Sequence, residues 1–252
     1  MSDEMLARVF ACIDNTTLNA TDNNASVEEF CRRTKNLTIN SNHSTLSVAA
    51  VCVYPRFVGV ASKVLAGSGI KVASVAGAFP HGQLPLELKV AEVQYAVAQG
   101  ADEVDVVLSR GALLAGERDT VVREVQAMKE ACQGCTLKVI LETGELPSPT
   151  LIADAAQLAI DGGADFIKTS TGKIAVGATL EAAETMLRVV QENAKKRARK
   201  VGFKAAGGIR LPEEALRYAR LAQQTMGDEY LSPTLFRIGA SSLTDELLKV
   251  LA

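Results

Sequence analysis

The sequence predicts an α/β chain folded as a (β/α)8 barrel, the TIM-barrel class, and three observations carry that expectation. Short β-branched runs alternate with longer amphipathic stretches, at intervals averaging about 31 residues, the spacing of βα units. Eight such runs can be counted. The chain has 252 residues, close to the usual size of one such barrel. A doubly wound open sheet shares the alternation and is the runner-up on pattern alone. Eight strands, each followed by a helix, make a barrel count.

The strand candidates, in order, are VFACID, AAVCVYP, IKVASVAG, EVDVVLS, TLKVILE, DFIKTST, KVGFKAA and FRIGASS. Between them lie LKVAEVQYAVAQG, TVVREVQAMKEAC, LIADAAQLAIDGG, LEAAETMLRVVQENAKKRARK and PEEALRYARLAQQTMG, whose apolar residues recur at the spacing of one helix face. Ser148-Pro149 and Leu211-Pro212-Glu213-Glu214 read as helix starts, and Gly100 and Gly162-Gly163 as helix ends. The basic run at 195–200 reads as the solvated end of a helix, where positive charge complements the dipole. Residues 36–48, NLTINSNHSTLSV, are polar and long for a connection, so a surface loop is expected there. No linker, low-complexity tract or composition shift divides the chain, and residues 1–252 are expected to form one domain.

Apolar residues make up 48% of the chain, enough for a large core. The net charge of −2 argues against a nucleic-acid or polybasic membrane partner, since it offers no charge excess to attract either. No apolar run approaches the roughly 20 residues needed to cross a bilayer. The opening MSDEMLARVF lacks the basic, apolar, small-residue order of a signal peptide, so a soluble cytoplasmic protein is expected. The sequons at Asn15, Asn24 and Asn36 carry no meaning without a secretory route.

Five dispersed cysteines, Cys12, Cys31, Cys52, Cys132 and Cys135, do not make a disulfide framework and fit a reducing compartment. Cys132 and Cys135 form a CxxC without a second pair, at a helix end, and are read as incidental. His43 falls in the polar loop and is expected to be solvated. His81, in Phe-Pro-His-Gly, is expected to line or hydrogen-bond locally. Two histidines are too few for a His-rich metal site, so neither metal nor cofactor is expected.

Strand parity sorts the polar residues. In a parallel barrel one face of each strand packs on helices and the other points inward. Placing Val104, Val106 and Leu108 outward turns Asp105 inward. Leu137, Val139 and Leu141 do the same for Lys138 and Glu142, Ile167 for Lys168, and Val201 and Phe203 for Lys204. Cys52, between Val51 and Val53, and Asp14, beyond Ala11 and Ile13, join this interior. A structural ion network, with Asp105 and Glu142 neutralising the three lysines, would explain the set. Three lysines converging on one interior are costly as structure alone, because each charge must be desolvated, and this favours function.

Glycine-rich turns follow three successive strands: Gly172-Lys173, Gly207-Gly208-Ile209-Arg210 and Gly239-Ala240-Ser241-Ser242. Glycines let backbone N–H groups approach an oxyanion, and loops after the seventh and eighth strands are the usual phosphate cradle of this fold.

The stretches IDNTTL, VCVYPRF, FPHG, GADEVDVV, LKVILETGEL, GADFIKTSTGK, VGFKAAGGIR and FRIGASSL run in order from residue 13 to 243. Together they closely resemble the deoxyribose-phosphate aldolase family, which forms lysine imines. The resemblance implies a reversible aldol reaction in deoxyribonucleoside catabolism, with a small phosphorylated sugar as partner and no cofactor. Lys168 would form the imine, Lys204 would tune it, and Asp105 would take part in proton relay. Asp14 and Cys52 would line the pocket. Thr16, Thr171, Gly172, Lys173, Gly207, Gly208, Gly239, Ser241 and Ser242 would hold the substrate and its phosphate, with Lys138 and Glu142 in support. Two departures stand out. Ala205 follows the lysine where the family often has Pro or Thr, at a position with no expected side-chain role. Some members carry a tail ending in tyrosine that helps proton transfer, whereas this chain stops at Ala252, so that help is expected to be absent or supplied otherwise. Another imine-forming aldolase with a different phosphorylated sugar is one alternative. Others are a non-covalent isomerase using Asp105 or Glu142, and a non-catalytic phosphate-binding barrel. Oligomeric state is not legible, and a homodimer is allowed.

Overall fold

The computed structural model describes residues 3–41, 44–196 and 199–251. Eight parallel strands close into a barrel: β1 (Ile13–Thr16), β2 (Ala50–Val53), β3 (Lys71–Ala76), β4 (Glu103–Val107), β5 (Thr136–Ile140), β6 (Phe166–Lys168), β7 (Gly202–Ala206) and β8 (Phe236–Ala240). Each pairs with its successor, and β8 returns to β1 with Ile13 opposite Ile238. The helices are α1 (Asp3–Ala11), α2 (Asn24–Asn36), α3 (Val58–Leu65), α4 (Leu86–Ala98), α5 (Arg110–Leu114), α6 (Arg118–Ala131), α7 (Pro149–Asp161), α8 (Leu180–Lys196), α9 (Pro212–Met226) and α10 (Leu243–Leu251). The (β/α)8 expectation holds, and the open sheet is excluded by ring closure.

Two local readings change. Val9, Phe10 and Ala11, expected to open the first strand, end α1 instead. Leu6, Val9 and Phe10 repeat at helical spacing and are buried on one face, and acidic Asp3 and Glu4 occupy the first turn. The expected surface loop at 36–48 contains a small antiparallel hairpin, Ile39–Ser41 against Ser44–Leu46, with Ile39 opposite Leu46. Its turn, including His43, lies outside the described residues.

The expected helix signals act as capping chemistry. Ser148 accepts from the Leu151 N–H at the start of α7. Glu214 accepts from the Arg210 and Leu211 N–H groups at the start of α9. Such caps contribute about 1 kcal/mol each. Gly162 caps α7, and Gly163 follows with φ +98°, a left-handed conformation that favours glycine.

The parity assignment holds through the core. Val104, Val106, Leu137, Val139, Ile167 and Phe203 are buried between sheet and helices. Register then aligns the inward residues across neighbouring strands. Asp105 pairs with Lys138, Lys168 with Lys204, and Lys204 with Arg237. Among the described residues no helix is long and apolar enough to cross a membrane.

Candidate active site

Asp105, fully buried on β4, is the hub of the barrel interior. Its Oδ1 accepts from Lys138 Nζ at 2.8 Å. Its Oδ2 accepts from Lys168 at 2.8 Å and from Lys204 at 2.7 Å. Lys204 also donates to Asp14 at 2.5 Å. Two residues not singled out from the sequence complete the set. Arg237 on β8 donates to Asp14 at 2.6 Å and to Glu103 at 2.6 Å. Glu103, at the start of β4, pairs with Lys138 at 2.5 Å. Both were open to the parity argument: Glu103 lies two residues before Asp105, and Arg237 lies between outward Phe236 and Ile238.

Glu142 is also fully buried but stands apart from the lysines. The strand ends at Ile140 and the chain turns left-handed at Glu142, with φ +54°, so alternation no longer sets its direction. Its carboxylate instead accepts from the Thr171 N–H at 3.1 Å and from the Thr171 hydroxyl. The alternative of a structural ion network that includes Glu142 therefore does not hold for this residue.

Electrostatics separates the lysines. Burial pushes Lys168 below the ordinary lysine range; Asp105 opposes this, and the Lys204 charge adds to it. Burial would also lower Lys204, yet Asp105 and Asp14 outweigh it and raise its pKa. Lys138 is likewise raised, because Asp105, Glu103 and Asp14 prevail over burial. Burial would raise the Asp14 and Asp105 carboxyls, but the surrounding cations hold both well below the usual range. Three cations whose charged form is favoured therefore accompany one lysine of reduced basicity.

That lysine is the one that reaches open space. A cavity at the C-terminal end of the barrel is lined by Lys168, Thr16, Thr171 and Gly239, and by the turns after β6, β7 and β8. Lys138, Lys204, Arg237, Asp14 and Asp105 lie buried behind it. Gly172, Gly207 and Gly208 adopt φ of +75°, +94° and +84°, which exposes backbone donors that a side chain would hinder. Lys173 and Ser241 line the same mouth, and Ser242, exposed, leads into α10. Arg210 also lines it, and its guanidinium forms no ion pair among the described residues. The Lys173 ammonium donates to the Leu18 carbonyl. The turns after β6 and β7 interlock: Ala178 N–H donates to the Gly207 carbonyl at 3.0 Å, and a β-carbon on Gly177 would collide with that carbonyl.

Cys52 lies in an apolar cluster with Leu18, Ala50, Ala73 and Val75. Burial, aided by the Asp105 charge, pushes its thiol up to about 11. His81 is exposed, and its backbone carbonyl accepts from Arg110 at 3.4 Å. Cys132 caps α6, with its thiol pushed up to about 12 by burial, while Cys135 Sγ lies 3.2 Å from the Ala101 carbonyl.

A buried lysine of lowered basicity facing a glycine-lined cavity is an arrangement that suits attack on a carbonyl. Residues 8–249 match the profile of DeoC/LacD family aldolases, and the chain belongs to that family. It is accordingly an aldolase, a lyase. Among solved structures, it is similar to an aldolase described as QR15, with 31% identity, a TM-score of 0.79 and 96% of each chain covered. It is also similar to a deoxyribose phosphate aldolase from Aeropyrum pernix solved as a tetramer, at 28% identity and TM-score 0.75, covering 99% of this chain and 92% of that one. A third likeness, at 28% identity and TM-score 0.82, is to a Coccidioides immitis protein provisionally assigned the same activity, covering 98% of this chain and 87% of that one.

Proposed function

We propose that this aldolase cleaves 2-deoxy-D-ribose 5-phosphate reversibly to D-glyceraldehyde 3-phosphate and acetaldehyde, through an imine on Lys168. The carrying observation is that Lys168, unlike Lys138, Lys204 and Arg237 in the same barrel interior, lines the cavity and has its basicity lowered. An ordinary lysine near pKa 10.4 would be about 99.9% protonated at neutral pH and unable to attack a carbonyl.

In the cleavage direction, neutral Lys168 Nζ adds to C1 of the open-chain sugar, and loss of water gives the iminium. A base then takes the C3 hydroxyl proton. The C2–C3 bond breaks, its electron pair moves into the iminium to give an enamine, and C3 becomes the aldehyde of glyceraldehyde phosphate. Protonation at C2 and hydrolysis release acetaldehyde and return the amine. Asp105, hydrogen-bonded to both Lys168 and Lys204, is suited to relay these protons. Lys204 stays charged and supplies the field that keeps Lys168 neutral. Because the imine is itself the electron sink, the chemistry requires no metal.

The phosphate is held by Gly207, Gly208 and Ser241, with Ser242, Gly172, Lys173 and Arg210 at the rim. Thr16, Thr171 and Gly239 flank the sugar, and Asp14, Cys52, Lys138 and Glu142 support from behind. Residues 1–252 act as one catalytic domain, in the cytoplasm, in deoxyribonucleoside catabolism. Family membership and the relatives' activity support this assignment. Acetaldehyde with borohydride should leave an ethyl adduct on the peptide containing Lys168. Full labelling of a Lys168→Arg variant would overturn the assignment. A panel of phosphorylated sugars separates this substrate from others.

A further inference from the structure

The buried charges form a closed ring. Starting at Asp105, the chain of contacts runs to Lys138 (2.8 Å), Glu103 (2.5 Å), Arg237 (2.6 Å), Asp14 (2.6 Å), Lys204 (2.5 Å) and back to Asp105 (2.7 Å). Three cations alternate with three carboxylates; each cation touches its two ring neighbours, and Lys138 also lies 3.7 Å from Asp14 across the ring. The ring is neutral in itself. Lys168 stands outside it and, among the described residues, pairs only with Asp105 Oδ2, an oxygen that Lys204 already occupies.

We infer that Arg237 and Glu103 are positioning residues that close this ring and so deny Lys168 a carboxylate of its own, holding it as the free amine. The inference rests on Lys168 being the imine-forming residue. A proton on Lys168 would be a fourth buried positive charge against three negative ones, and uncompensated buried charge is costly. Remove the Arg237 cation, and three carboxylates face two ring cations, so the Lys168 proton becomes the missing counter-charge. Remove the Glu103 carboxylate, and three ring cations face two carboxylates, so a proton on Lys168 becomes less favourable still. Neither residue lines the cavity, so both act through their neighbours.

The other charged groups around Lys168 do not blur this balance. Asp105 of β4 and Lys204 of β7 touch it or share its oxygen, and Lys138 of β5 and Asp14 of β1 belong to the ring. Cys52 of β2, with its thiol near 11, is neutral. On the cavity side, Glu142, two residues past β5, accepts from Thr171, and Lys173 donates to Leu18.

The test measures kcat/KM for deoxyribose 5-phosphate against pH, in the parent, Arg237→Gln, Glu103→Gln and the double variant. This parameter reports ionisations of the free enzyme, and the limb is an apparent value for the coupled set. Arg237→Gln should move the acidic limb to higher pH and Glu103→Gln to lower pH. The double variant, neutral again, should return towards the parent. A unit charge about 8–10 Å away at an effective dielectric near 20 gives shifts of roughly one pH unit. A packing role alone would lower the rate at every pH and leave the limb in place, and that result in both single variants overturns the proposal. So does a shift of the same sign in both. Should Arg237→Gln fail to fold, the nearly isosteric Glu103→Gln decides alone: a limb unmoved or raised overturns the ring account. Borohydride trapping in the parent separates the two levels. No adduct at Lys168 defeats the imine assignment, whereas an adduct with unmoved limbs defeats only the ring.

Discussion

Lys168 and Lys204 stand opposite each other on adjacent strands, and both ammonium nitrogens meet the same Oδ2 of Asp105, at 2.8 and 2.7 Å. Their fates differ because Lys204 has Asp14 as a second carboxylate, whereas Lys168 has no second one among the described residues. Proximity therefore yields one charged lysine and one of reduced basicity.

Replacing Lys204 with Leu removes a like charge and leaves Asp14 and Asp105 short of a cation. Both changes favour protonated Lys168, so its pKa rises and the acidic limb moves to higher pH. Two like charges about 5 Å apart at an effective dielectric near 20 repel by roughly 3 kcal/mol, about two pH units. Turnover at neutral pH should collapse and recover partly as pH is raised. An equal loss at every pH would mean that Lys204 acts by proton transfer or substrate contact instead.

If the turns after β7 and β8 cradle the phosphate, 2-deoxyribose without phosphate should react far more slowly, since remote binding energy is missing. Arg210→Ala should raise KM for the phosphorylated sugar and leave the unphosphorylated one nearly unaffected. Comparable efficiency for both sugars in the parent would exclude the cradle.

Cys52→Ala should keep substantial activity. Its thiol, pushed up to about 11, is almost wholly protonated at neutral pH and a poor nucleophile. The predicted cost is one of packing, on the order of 1 kcal/mol of stability. A loss of kcat as deep as that of Lys168→Ala would show that the thiol does more than fill the wall.

Gly177→Ala should separate two turns that now interlock, because its β-carbon meets backbone at Gly207 rather than a side chain that can rotate away. Overpacking of this kind costs about 1–3 kcal/mol. Steady-state kinetics should show KM for the phosphorylated sugar raised about tenfold or more. An unchanged KM would mean that the turn adjusts without disturbing the cavity.

The barrel and most of its interior were legible because a strand's period of two fixes which face each residue takes. That rule places Asp105, Lys138, Lys168 and Lys204, which all lie within β4 to β7. It applies equally to Glu103 and Arg237, which lie near the N-terminal ends of β4 and β8, away from the barrel end where chemistry is expected. Parity could not reach Glu142, since the strand has already ended and its left-handed backbone resets direction. Nor could it show that the apolar run before Asp14 is helical, because Val9-Phe10-Ala11 is too short for period two to be told from the helical period. The pairing of Thr171 with Glu142 depends on the course of a turn and left no trace in local pattern.

The seven charged residues of the interior come from six strands, and the Asp14–Arg237 contact joins β1 to β8 across 223 residues of sequence. No contiguous fragment holds the reactive centre, so neither half of the chain can carry it alone. Contacts of such separation form late when a chain condenses, since their loop entropy must be overcome first. If Lys168 forms the imine and the ring holds it neutral, its amine reactivity should rise only as the ring closes during refolding, once the first and last strands have met. For the same reason, new termini cut into an exposed loop far from the cavity should spare it, because the centre depends on which strands are neighbours and not on where the chain begins.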